Sequence, residues 1–151
     1  FFLNFFELML NLFKFYSIMI SEGGLLMEIQ WFSKNLKGVV SIYETNITLN
    51  TVAASHFIDA YKVIIGYNSK NNTLIIKHLT KEDVLSSVFS NCEMHSISIK
   101  PSYGRINGKD IVKNISKYYP LDFQAKNLYK FECDWDASTK SLIIYLKGDN
   151  A

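Results

Sequence analysis

Residues 61–68 have the sequence YKVIIGYN, and residues 129–136 have the related sequence YKFECDWD, 68 positions later. At the same offset and without a gap, TLII at residues 73–76 aligns with SLII at residues 141–144. The segments that join the two stretches of each pair are rich in Asn, Ser, Asp and Lys, as hairpin turns are. The sequence therefore predicts two similar β-hairpins.

A strand and a helix are predicted before each hairpin. Residues 39–49 are β-branched and alternating, and a helix capped by Asn50 or Thr51 follows them. Residues 93–106 have an extended pattern, and a helix follows from Lys109 to about Tyr118. One β-α-β-β unit of about 45 residues is too small to bury a core alone. We therefore predict an α+β fold in which two pseudo-duplicated β-α-β-β units, at about residues 38–79 and 93–146, pack face to face on a shared core.

The first 26 residues do not fit the rest of the chain. Glu22-Gly23-Gly24 can be encoded as GAA GGA GGU, which contains the bacterial ribosome-binding sequence AGGAGG just upstream of Met27. We predict that Met27 is the true start, that residues 1–26 are a translated leader outside the protein, and that residues 27–151 form a single domain. Apolar residues at helical spacing then predict a short N-terminal helix over residues 27–37.

Composition excludes several classes of protein. The 151 residues carry sixteen Lys and Arg and fourteen Asp and Glu, a formal charge of +2 that does not by itself indicate a nucleic-acid partner. Two cysteines cannot form a disulfide scaffold, which favours the cytoplasm. Polar and charged residues interrupt the apolar run at residues 1–26, so no membrane association is predicted.

Basic residues are concentrated in one part of the sequence. Between Lys100 and Lys130 there are seven basic residues and two acidic ones. Three of the lysines recur every four positions, which places them on one face of the second long helix. Lysines on such a face can contact phosphates, and an arginine beside a tyrosine can make more specific contacts; the alternative is an ordinary solvated helix face. The predicted nucleic-acid-binding residues are Lys100, Tyr103, Arg105, Lys109, Lys113, Lys117 and Lys130.

The order strand, turn ending in Asn, helix and hairpin resembles the swapped-hairpin domains of the AbrB/SpoVT and MraZ transcription factors. Residues 45–79 carry this resemblance, and Tyr103-Gly104-Arg105-Ile106 is similar to the Gly-Arg-Ile segment before the helix in that family. The resemblance implies interleaved copies and DNA contacts from basic residues. Two features depart from it: Asn50 and Asn107 occupy the place of the usual proline, and the first helix has no arginine. The chain also resembles small uncharacterised proteins of low-GC Gram-positive bacteria, which implies no activity.

Other chemistry has less support. Cys92 and His95 have a metal-ligand spacing, but a structural zinc site needs a second such pair. The usual phosphate-binding and hydrolase motifs are missing from the sequence. We therefore predict no cofactor, no metal and no enzymatic activity. The leading hypothesis is a small bacterial transcriptional regulator that binds double-stranded DNA and is compatible with a homodimer. The alternative is a protein-interaction or structural module that does not bind nucleic acid.

Overall fold

The computed structural model describes residues 6–12, 28–33 and 36–147. The chain divides into two compact units, Phe1–Asn35 and Leu36–Ala151. In the first unit, residues 6–12 form helix α1. Met27 and most of the predicted leader lie outside the described residues, so the predicted start remains a prediction. Of the helices that are described, none has the length and apolar character needed to cross a membrane.

The second unit is dominated by one antiparallel sheet with the strand order β5-β3-β4-β9-β8-β1-β2-β7-β6. Its helices are short: α2 (Thr51–Ala54), continued by a 3₁₀ turn at Ser55–Phe57, α3 (Lys81–Leu85) and α4 (Lys109–Ser116). The strands are β1 (Gly38–Tyr43), β2 (Asn46–Asn50), β3 (Lys62–Asn68), β4 (Thr73–Leu79), β5 (Met94–His95), β6 (Ser98–Ile99), β7 (Tyr103–Asn107), β8 (Leu128–Asp136) and β9 (Ser141–Tyr145).

The sheet curls so that its two end strands lie close together. β5 and β6 are the end strands, yet only Ser96 and Ile97 separate them in the chain. Because consecutive Cα atoms are about 3.8 Å apart, the two ends cannot be far from one another. The curled sheet therefore encloses an interior, and its inward-facing side chains form the core.

The core is contributed by alternate residues of the strands and by the buried faces of α2 and α4. Val40, Ile42, Ile47 and Leu49 are fully buried in β1 and β2, and Ile106 in β7. The other buried members of the cluster are Ala53, Ala54, Phe57, Val63, Leu74, Ile76, Ile111, Val112, Ile115, Tyr129, Phe131, Cys133, Leu142, Ile144 and Leu146.

Both predicted hairpins are present, as β3–β4 and β8–β9. Their turns have the same construction. The side chains of Asn68 and Asp136 each accept a hydrogen bond at 3.0 Å from the backbone N–H two residues later. Four positions after each of these residues, Asn72 and Lys140 have φ angles of 52° and 50°. The side chain at the start of each turn and the left-handed residue at its end reverse the chain direction.

The predicted fold class is wrong. The structure is mainly a nine-stranded curled sheet with few short helices, and it is not an α+β arrangement of β-α-β-β units packed face to face. β4 pairs with β9 and β2 pairs with β7, so the two halves join edge to edge within one sheet. An isolated unit would leave the backbone N–H and C=O groups of its outer strands unpaired. Pairing of those edges gives these backbone groups hydrogen-bond partners and joins the two predicted units into one sheet.

The predicted N-terminal helix is also wrong for the residues that the structure describes. Residues 28–33, 36 and 37 are not helical. Trp31 is 72% exposed and Phe32 is 98% exposed. A helix of this length is marginal in water unless its apolar face is packed. The exposure of these two side chains explains why spacing alone did not produce a helix.

Candidate nucleic-acid interface

Five residues form a lateral row across the outer face of the sheet, which we call the Arg105–Lys130 row. Lys130 on β8 is opposite Ser41 on β1, and Ser41 is opposite Thr48 on β2. Thr48 is opposite Arg105 on β7, which is opposite Ser98 on β6. Neighbouring strands are about 4.8 Å apart, so the backbones of Arg105 and Lys130 are separated by about 14 Å. The row carries one cation near each end and hydroxyl groups between them.

Alternation along the strands places this row away from the core. Gly104 and Ile106, on either side of Arg105, are buried. Tyr129 and Phe131, on either side of Lys130, are buried as well. Since successive side chains of a strand point to opposite faces, Arg105 and Lys130 point outward.

Arg105 is held against its neighbour Tyr103. The guanidinium carbon lies 4.9 Å from the centroid of the Tyr103 ring, in the range of a cation–π contact. Arg105 is half-buried, and its Nε atom is buried without a hydrogen-bond partner among the described residues. Tyr103 is positioned in turn by its carbonyl oxygen, which accepts a hydrogen bond from the Lys100 N–H at 2.8 Å. The ring contact restricts the orientation of the guanidinium, as specific recognition requires.

Three of the predicted lysines lie along α4, two within the helix and Lys117 at its C-cap. Gly108 starts this helix with a φ of 156°, and a Cβ at this position would lie 2.9 Å from Ile111 Cδ1. The Gly108 N–H donates to Thr45 O at 2.9 Å, which fixes the helix start against the β1–β2 turn. Ile111 is buried with Val112 and Ile115 against the core. The opposite face exposes Lys109, Lys113 and Lys117.

The seven predicted residues therefore form three groups. Tyr103, Arg105 and Lys130 share the outer face of the sheet. The α4 lysines begin two residues after the end of β7 and extend over about 12 Å of helix. Lys100 lies in the β6–β7 turn, at the opposite end of β7 from α4. The structure places Arg105 and Lys130 in one row, with the Tyr103 ring beside Arg105, whereas Lys100 is separate from the helix lysines.

Acidic residues also occur on the outer face of β8, but they have partners. Glu132 forms an ion pair with Lys37 at 2.8 Å, and this hydrogen-bonded contact raises the pKa of Lys37. Asp134 accepts a hydrogen bond from Tyr145 Oη at 2.8 Å, which raises the pKa of Tyr145. The Lys37 ammonium offsets the charge of Glu132, whereas the Tyr145 hydroxyl is neutral and offsets no charge.

Sequence reasoning missed Ser41 and Thr48, the two residues between the cations. Alternation identifies them as outward-facing, but it does not show which strand lies beside which. The two-residue turn at Glu44 and Thr45 sets their register within the β1–β2 hairpin. The pairing of β1 with β8 joins residues about ninety positions apart, and nothing in the local sequence indicates it.

The described residues offer little for metal binding or for chemistry at the Cys133 thiol. Within the described ranges, no three His, Cys, Asp or Glu side chains are grouped so that they could hold a metal ion. Cys133 is buried, and burial raises its pKa to about 12. A thiol in this environment stays protonated at neutral pH and is a poor nucleophile or metal ligand.

Comparison with protein families, with curated proteins and with solved structures finds no match to this chain. The resemblance to the swapped-hairpin transcription factors therefore remains a prediction.

Proposed function

We propose that this protein is a small DNA-binding regulator that contacts duplex DNA through the Arg105–Lys130 row and the lysines of α4. The observation that carries the proposal is the placement of Arg105 and Lys130 in one outward row. The local excess of seven basic over two acidic residues between positions 100 and 130 also supports it.

The two groups of cations have different roles in this proposal. Lys109, Lys113 and Lys117 neutralise phosphates and release counterions, which gives affinity without sequence preference. Arg105, with its guanidinium restricted by Tyr103, contacts a base edge. The separation of about 14 Å between the strands of Arg105 and Lys130 is comparable to the width of the major groove, about 12 Å. Lys130 can then reach the phosphates that border the groove.

The proposal places the protein in the bacterial cytoplasm, where duplex DNA is accessible. Cys92 and Cys133 are both free thiols, as is usual in a reducing compartment. A homodimer would present the basic surface twice and so increase the affinity for DNA. Sedimentation of the protein with and without DNA tests this assembly.

The decisive experiment measures duplex binding as a function of salt. We expect the affinity to fall steeply with salt, and the double variant Lys109→Glu, Lys113→Glu to bind at least about tenfold more weakly at low salt. The matched control is Lys70→Glu with Lys81→Glu, which makes the same charge change at exposed positions outside the proposed surface. Equal losses in the two double variants would indicate an effect of net charge alone. The absence of duplex binding at low salt would rule the proposal out.

A second candidate function is supported by exposed apolar side chains. Leu85 and Val88, at and just after the end of α3, are each 76% exposed. Exposed apolar residues close together favour contact with another protein. A protein-interaction or structural module would retain its partner in high salt and would not respond to the lysine substitutions, which separates it from the DNA-binding proposal.

A further inference from the structure

One stretch of strand edge in the sheet has no neighbouring strand. β5 pairs with β3 only at Val63 and Ile64. Just before β5 the chain turns away, because the Cys92 N–H donates to Phe89 O at 3.0 Å. Among the described strands, none therefore lies beside residues 65–68 of β3 on the side opposite β4. Such an edge presents backbone N–H and C=O groups that can pair with another extended chain.

A cavity of about 570 Å³ opens beside this edge, between β3 and α4. Ile65 and Tyr67 contribute to its wall from β3, and Ile111 and Ile115 contribute from α4. The rings of Tyr67 and Tyr118 stack with their centroids 4.6 Å apart and both line the cavity. We call this space the β3–α4 groove. Its volume and apolar walls suit one or two apolar side chains.

Backbone groups point to the unpaired edge at every second residue of β3. The N–H and C=O groups of Gly66 and Asn68 face Ile75 and Thr73 of β4, so those of Ile65 and Tyr67 face the unpaired edge. On the outer face of the sheet Gly66 is exposed, and a Cβ built on it would have no atom within 4 Å. An incoming strand would therefore pair with Ile65 and Tyr67 and would meet no side chain at position 66.

Two lysines and one glutamate carry the formal charges at the groove lining. The Lys117 side chain is exposed and forms no ion pair with the described residues. Lys77 also lines the groove, but its Nζ atom donates to Thr139 O. Glu93 supplies a carboxylate at the lining and His95 an imidazole. Lys117 is therefore the ammonium group best placed to receive an anionic group from a ligand.

We propose that the β3–α4 groove binds an extended peptide segment of a partner protein. The peptide pairs with residues 65–68 as an additional strand and inserts an apolar side chain between β3 and α4. Its carboxylate, from an acidic side chain or from the C-terminus, contacts Lys117. An unpaired strand edge favours a peptide over a compact small molecule, because only a peptide supplies matching N–H and C=O groups. A second copy of this chain pairing only along this four-residue edge would bury much less than the roughly 1,200 Å² of a stable interface.

The test uses the full chain and a labelled hexapeptide, Thr-Ile-Thr-Val-Thr-Glu, with a free C-terminus. We expect binding at up to millimolar concentration, together with slower hydrogen exchange at the amides of Ile65 and Tyr67, which do not face β4. A twin peptide that is N-methylated at alternate residues keeps its side chains but loses its outward N–H donors. It should bind at least about tenfold more weakly, since each main-chain hydrogen bond contributes a few-fold.

The protein variants test the ionic contact. Lys117→Glu should weaken binding at least about fivefold, whereas Lys113→Glu, which lies one turn earlier and does not line the groove, should not. Lys113→Glu is expected to weaken DNA binding but not peptide binding. Failure of the peptide proposal is therefore distinguishable from failure of the DNA-binding proposal. Comparison of C-terminally amidated and Glu→Gln peptides identifies which carboxylate is used.

Several outcomes would overturn the proposal. One is equal binding of the N-methylated twin, which means that the backbone does not pair. Another is slow exchange at the amides of Ile65 and Tyr67 in the peptide-free protein. If that protection persists when the protein is diluted, the chain's own residues cover the edge. If the protection is lost on dilution, a second copy of the chain covers it. A lack of hexapeptide binding at millimolar concentration also removes the proposal.

Discussion

Arg105 and Lys130 lie in the same lateral row of the sheet, on strands β7 and β8, although their positions in the sequence differ by 25. The two side chains between them, Ser41 and Thr48, are short and end in hydroxyl groups. The two long cationic side chains therefore lie on either side of a strip of short polar side chains. Because the row faces away from the core, either cation can be replaced without opening a cavity inside the protein.

This arrangement predicts different DNA-binding phenotypes for the two cations. Lys130→Gln should weaken binding to all duplex sequences alike and reduce the slope of log affinity against log salt by about 0.9, as loss of one phosphate contact does. Arg105→Lys keeps the charge but loses the planar fork, so discrimination between sequences should fall while the slope stays unchanged. Titration of several duplexes over a range of salt concentrations measures both quantities.

The control for this pair is Lys70→Gln, at an exposed position in the β3–β4 turn. It should alter neither the slope nor the discrimination. If Arg105→Lys instead reduces affinity for every duplex by the same factor, Arg105 contacts phosphate and the assignment of base recognition to it is incorrect.

Two glycines in the sheet should differ sharply in their tolerance of a methyl group. A Cβ at Gly38 would lie 2.7 Å from the buried Cys133 Sγ atom, whereas a Cβ at Gly66 would meet nothing within 4 Å. Gly38→Ala should lower the free energy of unfolding by about 1–3 kcal/mol because it overpacks the interior. Gly66→Ala should be neutral or should stabilise the protein by up to about 1 kcal/mol. Urea unfolding of the two variants provides the comparison.

A double-mutant cycle checks the cause of the Gly38 effect. Cys133→Ala removes the Sγ atom, so the cost of Gly38→Ala should be smaller in this background, with a coupling of about 1 kcal/mol. An unchanged cost would mean that the methyl group is opposed by backbone atoms and not by the thiol.

Asn50 joins the start of α2 to the beginning of the sheet. Its Oδ1 atom accepts from the Ala53 N–H at 3.0 Å, and its Nδ2 atom donates to Lys37 O at 2.8 Å. Asn50→Ala should therefore reduce the free energy of unfolding by about 1–2 kcal/mol. Asn50→Asp keeps the helix cap but loses the donor to Lys37 O, so its loss should be smaller. The prediction fails if Asp and Ala are equally destabilising in urea unfolding.

Local structure could largely be predicted from the sequence. The internal repeat and the turn residues within it located both hairpins, and Asn50, one of the two expected cap residues, caps α2. The assembly could not be predicted in the same way. Local pattern shows which face of a strand is buried, but it does not show which edges pair. β4–β9 and β1–β8 are pairings between distant segments, and they convert the expected packed units into one curled sheet.

The candidate interface was predictable to a similar extent. Lys109, Lys113 and Lys117 share an exposed helix face because their spacing matches the helical repeat. The row that joins Arg105 to Lys130 depends on register across three strand pairs, which no spacing in the sequence contains. The unpaired edge of β3 is the same kind of feature, since it depends on where β5 stops pairing.

The two cysteines should react very differently with alkylating agents. Cys92 is exposed, whereas Cys133 is buried and its pKa is raised to about 12 by burial. At pH 8 we expect iodoacetamide to modify one thiol of the native protein and the second only after unfolding in urea. Mass spectrometry of the labelled protein gives the count and the position. Rapid labelling of both thiols in the native protein would show that Cys133 is accessible.

The raised pKa of Cys133 also predicts how stability changes at alkaline pH. Below the ordinary thiol pKa of 9.0, the group is protonated in both the folded and the unfolded chain, so it contributes no pH dependence. Between 9.0 and about 12 the unfolded chain releases this proton and the folded protein retains it, so the free energy of unfolding falls as pH rises. Lys37 and Tyr145, whose pKa values are also raised, contribute in the same direction. The Cys133→Ala variant should therefore lose stability less steeply than the wild type above pH 9.0 in urea titrations, and identical pH profiles would contradict the assignment to Cys133.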